Sequence, residues 1–181
     1  MKIMNKKIRY ITETAVMLAL LVGLQALTKP LGQMVTGSCV NAVLAIAALV
    51  VGLYSGIAIA VISPVLAYFL GIAPQILTVP AIMVGNTLFV VALYLIGDKD
   101  SLRRNLAVVV AAAAKFAALY VIVVWLICGV LSENLLASGM LNALMLKMLP
   151  HTFSVTQLFT ALIGGALAMP IAHVLRKALH K

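Results

Sequence analysis

The sequence predicts an all-α integral membrane protein of six transmembrane helices, and three observations carry that prediction. Hydrophobic residues make up 65% of the 181 and charged residues only 9%, whereas a water-soluble domain carries about a quarter charged. Mean hydropathy is +1.20. No charged residue occurs between Pro30 and Gly97, a stretch more than twice the ~20 apolar residues that a membrane-crossing helix needs. Residues 1–181 read as one transmembrane domain.

The spans follow from apolar runs and the breakers between them. The first is expected over Ile11–Thr28, the second over Val40–Leu53 and the third over Gly56–Leu70. The fourth covers Val79–Ile96, the fifth Asn105–Val130 and the sixth Val155–Leu175. Turns fall at Lys29-Pro30-Leu31-Gly32, Gly52 to Gly56, Gly71 with Pro74, Gly97-Asp98, and Pro150. Spans two and three are short, which favours little tilt or a thin region beside them.

Charge placement gives the orientation. Lys2, Lys6, Lys7 and Arg9 precede span one, Lys99, Arg103 and Arg104 follow span four, and Arg176, Lys177 and Lys181 follow span six. With six spans all three clusters share a side, leaving Lys29 and Lys147 opposite and Lys115 within span five. The positive-inside rule puts both termini in the cytoplasm. The net charge of +9 therefore reads as membrane topology rather than as a nucleic-acid face, which needs a basic patch on a soluble fold. Gln25 to Pro30 offers no small-residue cleavage site, so the first apolar run is expected to stay as a helix.

Several chemistries lack their parts. There is no GxxxxGK[ST] loop for ATP. The acids are Glu13, Asp98, Asp100 and Glu133, all expected near span ends, so no paired intramembrane carboxylates serve acid–base work. No HExxH or Cys/His cluster suggests a metal, and no enzyme activity or cofactor is expected. Cys39 and Cys128 both fall near outer span ends, where a disulfide is chemically feasible; small buried thiols are the alternative.

Polar side chains within spans each need a partner or a task. The connection Pro30 to Ser38, with Gln33, Thr36 and Ser38, reads as long, flexible and outward, with Asn41 one turn into the next span. The connections Gly71 to Pro80 and Leu131 to Ser154 are polar too, whereas the inner Gly52–Gly56 turn is minimal. The outer face is thus the elaborated one. Asn86 lies about two turns, roughly 10 Å, into span four. Gln157 and Thr160 share a face of span six, as ligand or packing groups. Tyr120 and Trp125 suit either interfacial anchoring or ligand stacking, and Asn41 and Asn86 either interhelical hydrogen bonds or ligand contacts. Lys115, about ten residues from either end of span five, has no intramembrane carboxylate to pair with. It is either hydrogen-bonded to Asn86 and carbonyls or awaits an anionic or electron-rich ligand. The candidate substrate-binding set is therefore Gln33, Thr36, Ser38, Asn41, Asn86, Lys115, Tyr120, Trp125 and Gln157. With amides, aromatics and no buried acid, it suits a neutral or anionic solute better than a cation. In span one, Ala15, Ala19 and Gly23 recur every fourth residue, a smooth stripe for close helix approach within the chain or against another membrane protein.

These features together resemble the substrate-binding S components of energy-coupling factor (ECF) transporters, which capture vitamins in prokaryotes. The resemblance extends over the whole chain. It includes Ala15-Val16-Met17-Leu18-Ala19, similar to the family's AxxxA element, as well as Thr36 to Ala42, Val84 to Leu88, Lys115 to Tyr120 and Gln157 to Gly165. It implies a cell-membrane subunit of an ABC-type importer that binds a vitamin or micronutrient near the outer surface under the loop between spans one and two. It also implies partners, a transmembrane T component docked at the AxxxA stripe and two cytoplasmic ATPases, and release of the ligand by toppling. A stand-alone facilitator or channel without an ATPase, a membrane enzyme, and a structural subunit that binds no solute are the competing readings.

Overall fold

The computed structural model describes residues 6–72, 75–97 and 101–179. Lys2, Pro74, Asp98, Lys99, Asp100, His180 and Lys181 lie outside the described residues. The described chain is helical throughout, with no strand. It runs α1 (Lys6–Thr28), α2 (Gln33–Ile46), α3 (Leu53–Phe69), α4 (Val79–Ile96), α5 (Ser101–Leu119), α6 (Ser132–Ala137), α7 (Ala143–Thr152) and α8 (Val155–Ala178). α2 is prolonged by a π-helical turn, Ala47–Val51, and α5 by a longer π-helical stretch, Tyr120–Val130.

Among the described residues, five helical segments are long and apolar enough to cross a membrane: 6–31, 33–51, 76–96, 103–130 and 143–178. α3, at 17 residues, falls below that length. The first connection departs most from expectation. Pro30 to Ser38 is not a flexible loop: Lys29–Leu31 form a 3₁₀ turn, Gly32 turns the chain with φ +88°, and α2 starts at Gln33 rather than Val40. Nothing from Gln33 to Ser38 obstructs a helix except Gly37, and that glycine serves packing: a Cβ there would meet Thr160 at 2.9 Å. The second connection shrinks to Gly52 alone, at φ +132°. The 131–154 connection is largely α6 and α7, with Pro150 inside α7 rather than ending it.

The long helices close a ring in the order α1–α3–α4–α5–α8–α2, and α2 also reaches across to α4. α2 sits innermost: 67% of its most apolar window is buried, against 6% for α1. Its tightest neighbour is α8, because Gly164 has no side chain; a Cβ there would come within 2.5 Å of the Ser38 carbonyl oxygen. At one end of the bundle the Ser55 amide donates to the Tyr10 hydroxyl at 2.6 Å and Arg176 Nε donates to the Leu49 carbonyl at 2.7 Å. The start of α1 and the end of α8 therefore both adjoin the α2–α3 turn. The other end is tied by Lys29 Nζ donating to the Gly71 carbonyl and Gln75 Nε2 to the Met140 carbonyl.

Two apolar clusters fill the interior. The larger joins α2 from Val43 onward to Phe89, Val90 and Leu93 of α4, Ala107, Val108, Ala111 and Ala112 of α5, and Ala161, Ala168 and Ala172 of α8. The smaller joins Ala81, Leu119, Val123, Ile127, Leu149 and Phe153. On α4, Asn86 falls between Ala81 and Phe89; on α5, Lys115 falls between Ala112 and Leu119. A polar layer thus separates the two clusters, and the candidate site lies in it.

Candidate functional site

Lys115 is at the centre of that layer, and its position follows from the spacing of buried residues along α5. Ala107, Ala111, Lys115, Leu119, Val123 and Ile127 are all buried, one stripe at a constant four-residue spacing. An α-helix of 3.6 residues per turn cannot keep that spacing on one face for long; the wider π-helical stretch from Tyr120 restores it. Lys115 is 3% exposed, so its ammonium cannot reach water along the helix. Its Nζ donates instead to Asn41 Oδ1 at 2.6 Å and Asn86 Oδ1 at 2.7 Å, with the Phe89 ring centroid 5.8 Å away, within cation–π range. Of the two alternatives read from the sequence for the asparagines, the structure contains the interhelical hydrogen bonds, both made to this lysine. Asn41 Nδ2 in turn points at Thr160 Oγ1 at 3.4 Å, and Thr160 donates to the Gln157 carbonyl at 3.1 Å. One polar chain therefore links α2, α4, α5 and α8.

Lys115 and Asn86 form part of the wall of a cavity of about 270 Å³. Gln33, Thr36 and Gln157 line it as well. Thr36 and Gln157 are buried while Gln33 is exposed. Asn41 reaches the cavity through Lys115 rather than as a wall residue, and the Ser38 hydroxyl is occupied by the Met34 carbonyl at 2.7 Å. Tyr120 and Trp125 lie elsewhere. They fall off the four-residue stripe, are 45% and 60% exposed, and neither lines the cavity.

Gln25, Lys29, Ser63 and Thr152 also line the cavity. Gln25 and Ser63 were each detectable as an isolated polar group within an otherwise apolar span. Thr152 was not, because α7 was expected to be loop. Two residues of the wall stand out: Gln25 and Thr36 each carry a side-chain oxygen, Oε1 and Oγ1, that is buried without a hydrogen-bond partner among the described residues. A native structure leaves few such atoms unsatisfied, so two of them on residues that line one cavity with a buried ammonium mark it as a candidate site for a polar guest. Cys39 and Cys128 are both free and half-buried. No carboxylate faces the cavity among the described residues: Glu13 accepts from Arg9 Nε at 2.9 Å, and Glu133 is exposed in the first turn of α6.

A model of the ECF transporter substrate-specific component matches residues 9–176. The chain belongs to that family. No curated protein and no solved structure matches it. As an ECF substrate-specific component it is a multi-pass membrane protein and a transport subunit for a small-molecule substrate, not an enzyme. For such a component the stripe on α1 has added interest. Ala15, Ala19 and Gly23 are not buried, and a Cβ on Gly23 would meet nothing within 4 Å. Gly23 is not used to bring α1 close to its own bundle.

Proposed function

We propose that this ECF component captures a vitamin or related micronutrient, neutral or anionic, at the outer face of a prokaryotic cell membrane, as the substrate-binding subunit of an ATP-driven importer. The observation that carries the reading is the cavity lined by the buried Lys115 and by Asn86, Thr36 and Gln157, set between two apolar clusters in a chain of this family. Gln33, Thr36, Asn86, Lys115 and Gln157 are the proposed solute contacts, with Asn41 orienting Lys115. Ser38, Tyr120 and Trp125 are left outside the solute contacts because of where they lie.

The remaining parts of the reading rest on sequence and family together. The basic clusters favour six crossings of one domain, residues 1–181, with both termini cytoplasmic; the short α3 is then the third crossing, held in the ring between α1 and α4. The cavity opens beside Gln33 and Lys29, at the end opposite those clusters, which suits uptake from outside. Energy comes from partners: a T component, which the outward Ala15–Ala19–Gly23 stripe is suited to meet, and two cytoplasmic ATPases.

The test is co-purification of the affinity-tagged chain from its native membrane, followed by flux measurements on liposomes carrying the chain alone. Recovery of a T component with two ATPases, and liposomes that do not leak small solutes, are the expected results. A chain that passes solutes by itself and recovers no ATPase is a facilitator, and the importer reading fails.

A further inference from the structure

Charge, unpaired polar atoms and size together narrow the solute further, on the premise that the cavity is the solute site proposed above. We infer that the cavity takes a small monocarboxylate that also carries an N–H or O–H donor, its carboxylate meeting Lys115 and Thr36 and its donor meeting Gln25.

Charge comes first. Among the described residues the cavity wall includes Lys115 and Lys29 and no acid, and an ammonium deep in a membrane protein is costly without a counter-charge. Lys29 is exposed with its Nζ on the Gly71 carbonyl, so among the described residues of the wall Lys115 is the buried cation to be matched. A single negative charge suffices. A phosphate, with about −1.5 to −2 charge and three acceptor oxygens, exceeds what one buried ammonium balances.

Donor arithmetic agrees. An ammonium has three N–H donors; Asn41 and Asn86 take two of them, leaving one. Thr36 lines the same wall, and its buried hydroxyl has no partner among the described residues. Two free donors fit the two oxygens of a carboxylate. Gln25 Oε1 is the converse case: it is a buried acceptor with no partner, and an acceptor requires a donor on the guest. Between these polar ends the wall is apolar, with Val40, Pro64, Ala67, Ile72, Ile82 and Phe153. The body of the guest is therefore compact and largely apolar, and about 270 Å³ lies just under the ~300–1,000 Å³ of clefts for drug-sized ligands.

The experiment works on whatever solute the protein retains. Protein purified in detergent from cells grown in rich medium is heated, and the released small molecules are weighed by high-resolution mass spectrometry. The measurement is made before and after methyl esterification of carboxylates, and again in D₂O to count exchangeable hydrogens. The expected result is a compound stoichiometric with the protein that gains one methyl group and retains at least one exchangeable hydrogen as the ester. Lys115→Met lowers its retention about 30-fold or more; Thr36→Val, a near-isosteric change on the same wall, lowers it too, which separates lost recognition from lost folding. A stoichiometric compound that takes no methyl group overturns this inference and leaves solute capture standing. Release of nothing above a control membrane protein overturns the solute-capture reading itself, and this inference with it.

Discussion

At the scale of single residues, one ammonium and two amides hold the site together. Lys115, Asn41 and Asn86 come from α5, α2 and α4, and each is nearly or fully buried. Removing an acceptor from a buried charge is destabilising because the charge remains, whereas removing the charge as well is not. Asn86→Leu is therefore expected to cost about 1.5–3 kcal/mol, the range for hydrogen bonds to charged groups. Asn86→Leu combined with Lys115→Met is expected to cost clearly less than the two single changes added together. Thermal unfolding in detergent across the four proteins of that cycle checks this, and simple additivity would contradict a coupled pair. The sequence made Lys115 conspicuous because a lone cation in a long apolar run has few innocuous explanations. It named Asn86 as a partner but could not tell that Asn41 would be the second, since that depends on how α2 is rotated against α5. Gln25 and Thr36 owe their interest to unpaired atoms, a property of packing that no spacing rule reveals.

At the scale of elements, glycine and alanine decide which helices touch. A Cβ on Gly164 would meet the Ser38 carbonyl oxygen at 2.5 Å and Asn41 Cβ at 2.6 Å, atoms of a packed helix that cannot swing aside. Gly164→Ala is expected to lower stability by about 1–3 kcal/mol, the usual cost of overpacking, and to weaken solute retention by displacing Asn41. An unchanged melting profile would show that α2 and α8 are less closely fitted than those distances require. Gly23 is the opposite case, since an added Cβ there finds open space. Gly23→Leu is expected to leave folding and solute retention intact while abolishing recovery of the T component. Loss of folding in that variant would mean that the stripe packs within the chain after all. Span four matched its expected bounds because Thr78, Pro80 and Gly97 punctuate it clearly. α2 did not, because polar residues at its start looked like loop; Gln33 and Thr36 are polar where they line the cavity and its mouth.

At the scale of the whole molecule, the ring of helices and the charge pattern make a joint statement about direction. If the basic clusters mark the cytoplasmic side, a membrane-impermeant thiol reagent added outside intact cells labels Lys147→Cys and not Lys177→Cys, in a background of Cys39→Ala and Cys128→Ala. The reverse pattern would invert the cavity and remove the argument for uptake. The five helices of membrane-crossing length were readable from hydropathy and breakers alone, and so was the shortness of α3, because membrane helices must be apolar over a fixed length; the length of α2 was not, since its polar start read as loop. The cavity was readable only in part: the polar residues were visible singly, while their convergence depends on helix order and on the π-helical shift beyond Leu119. The most direct measurement of the central claim is the amount of small molecule released by heat per molecule of purified protein. It compares wild type, Lys115→Met and Trp125→Ala prepared side by side. Wild type and Trp125→Ala should release one solute in equal, near-stoichiometric amounts and Lys115→Met almost none; equal release from all three, or dependence on Trp125 instead, would contradict a site built around Lys115.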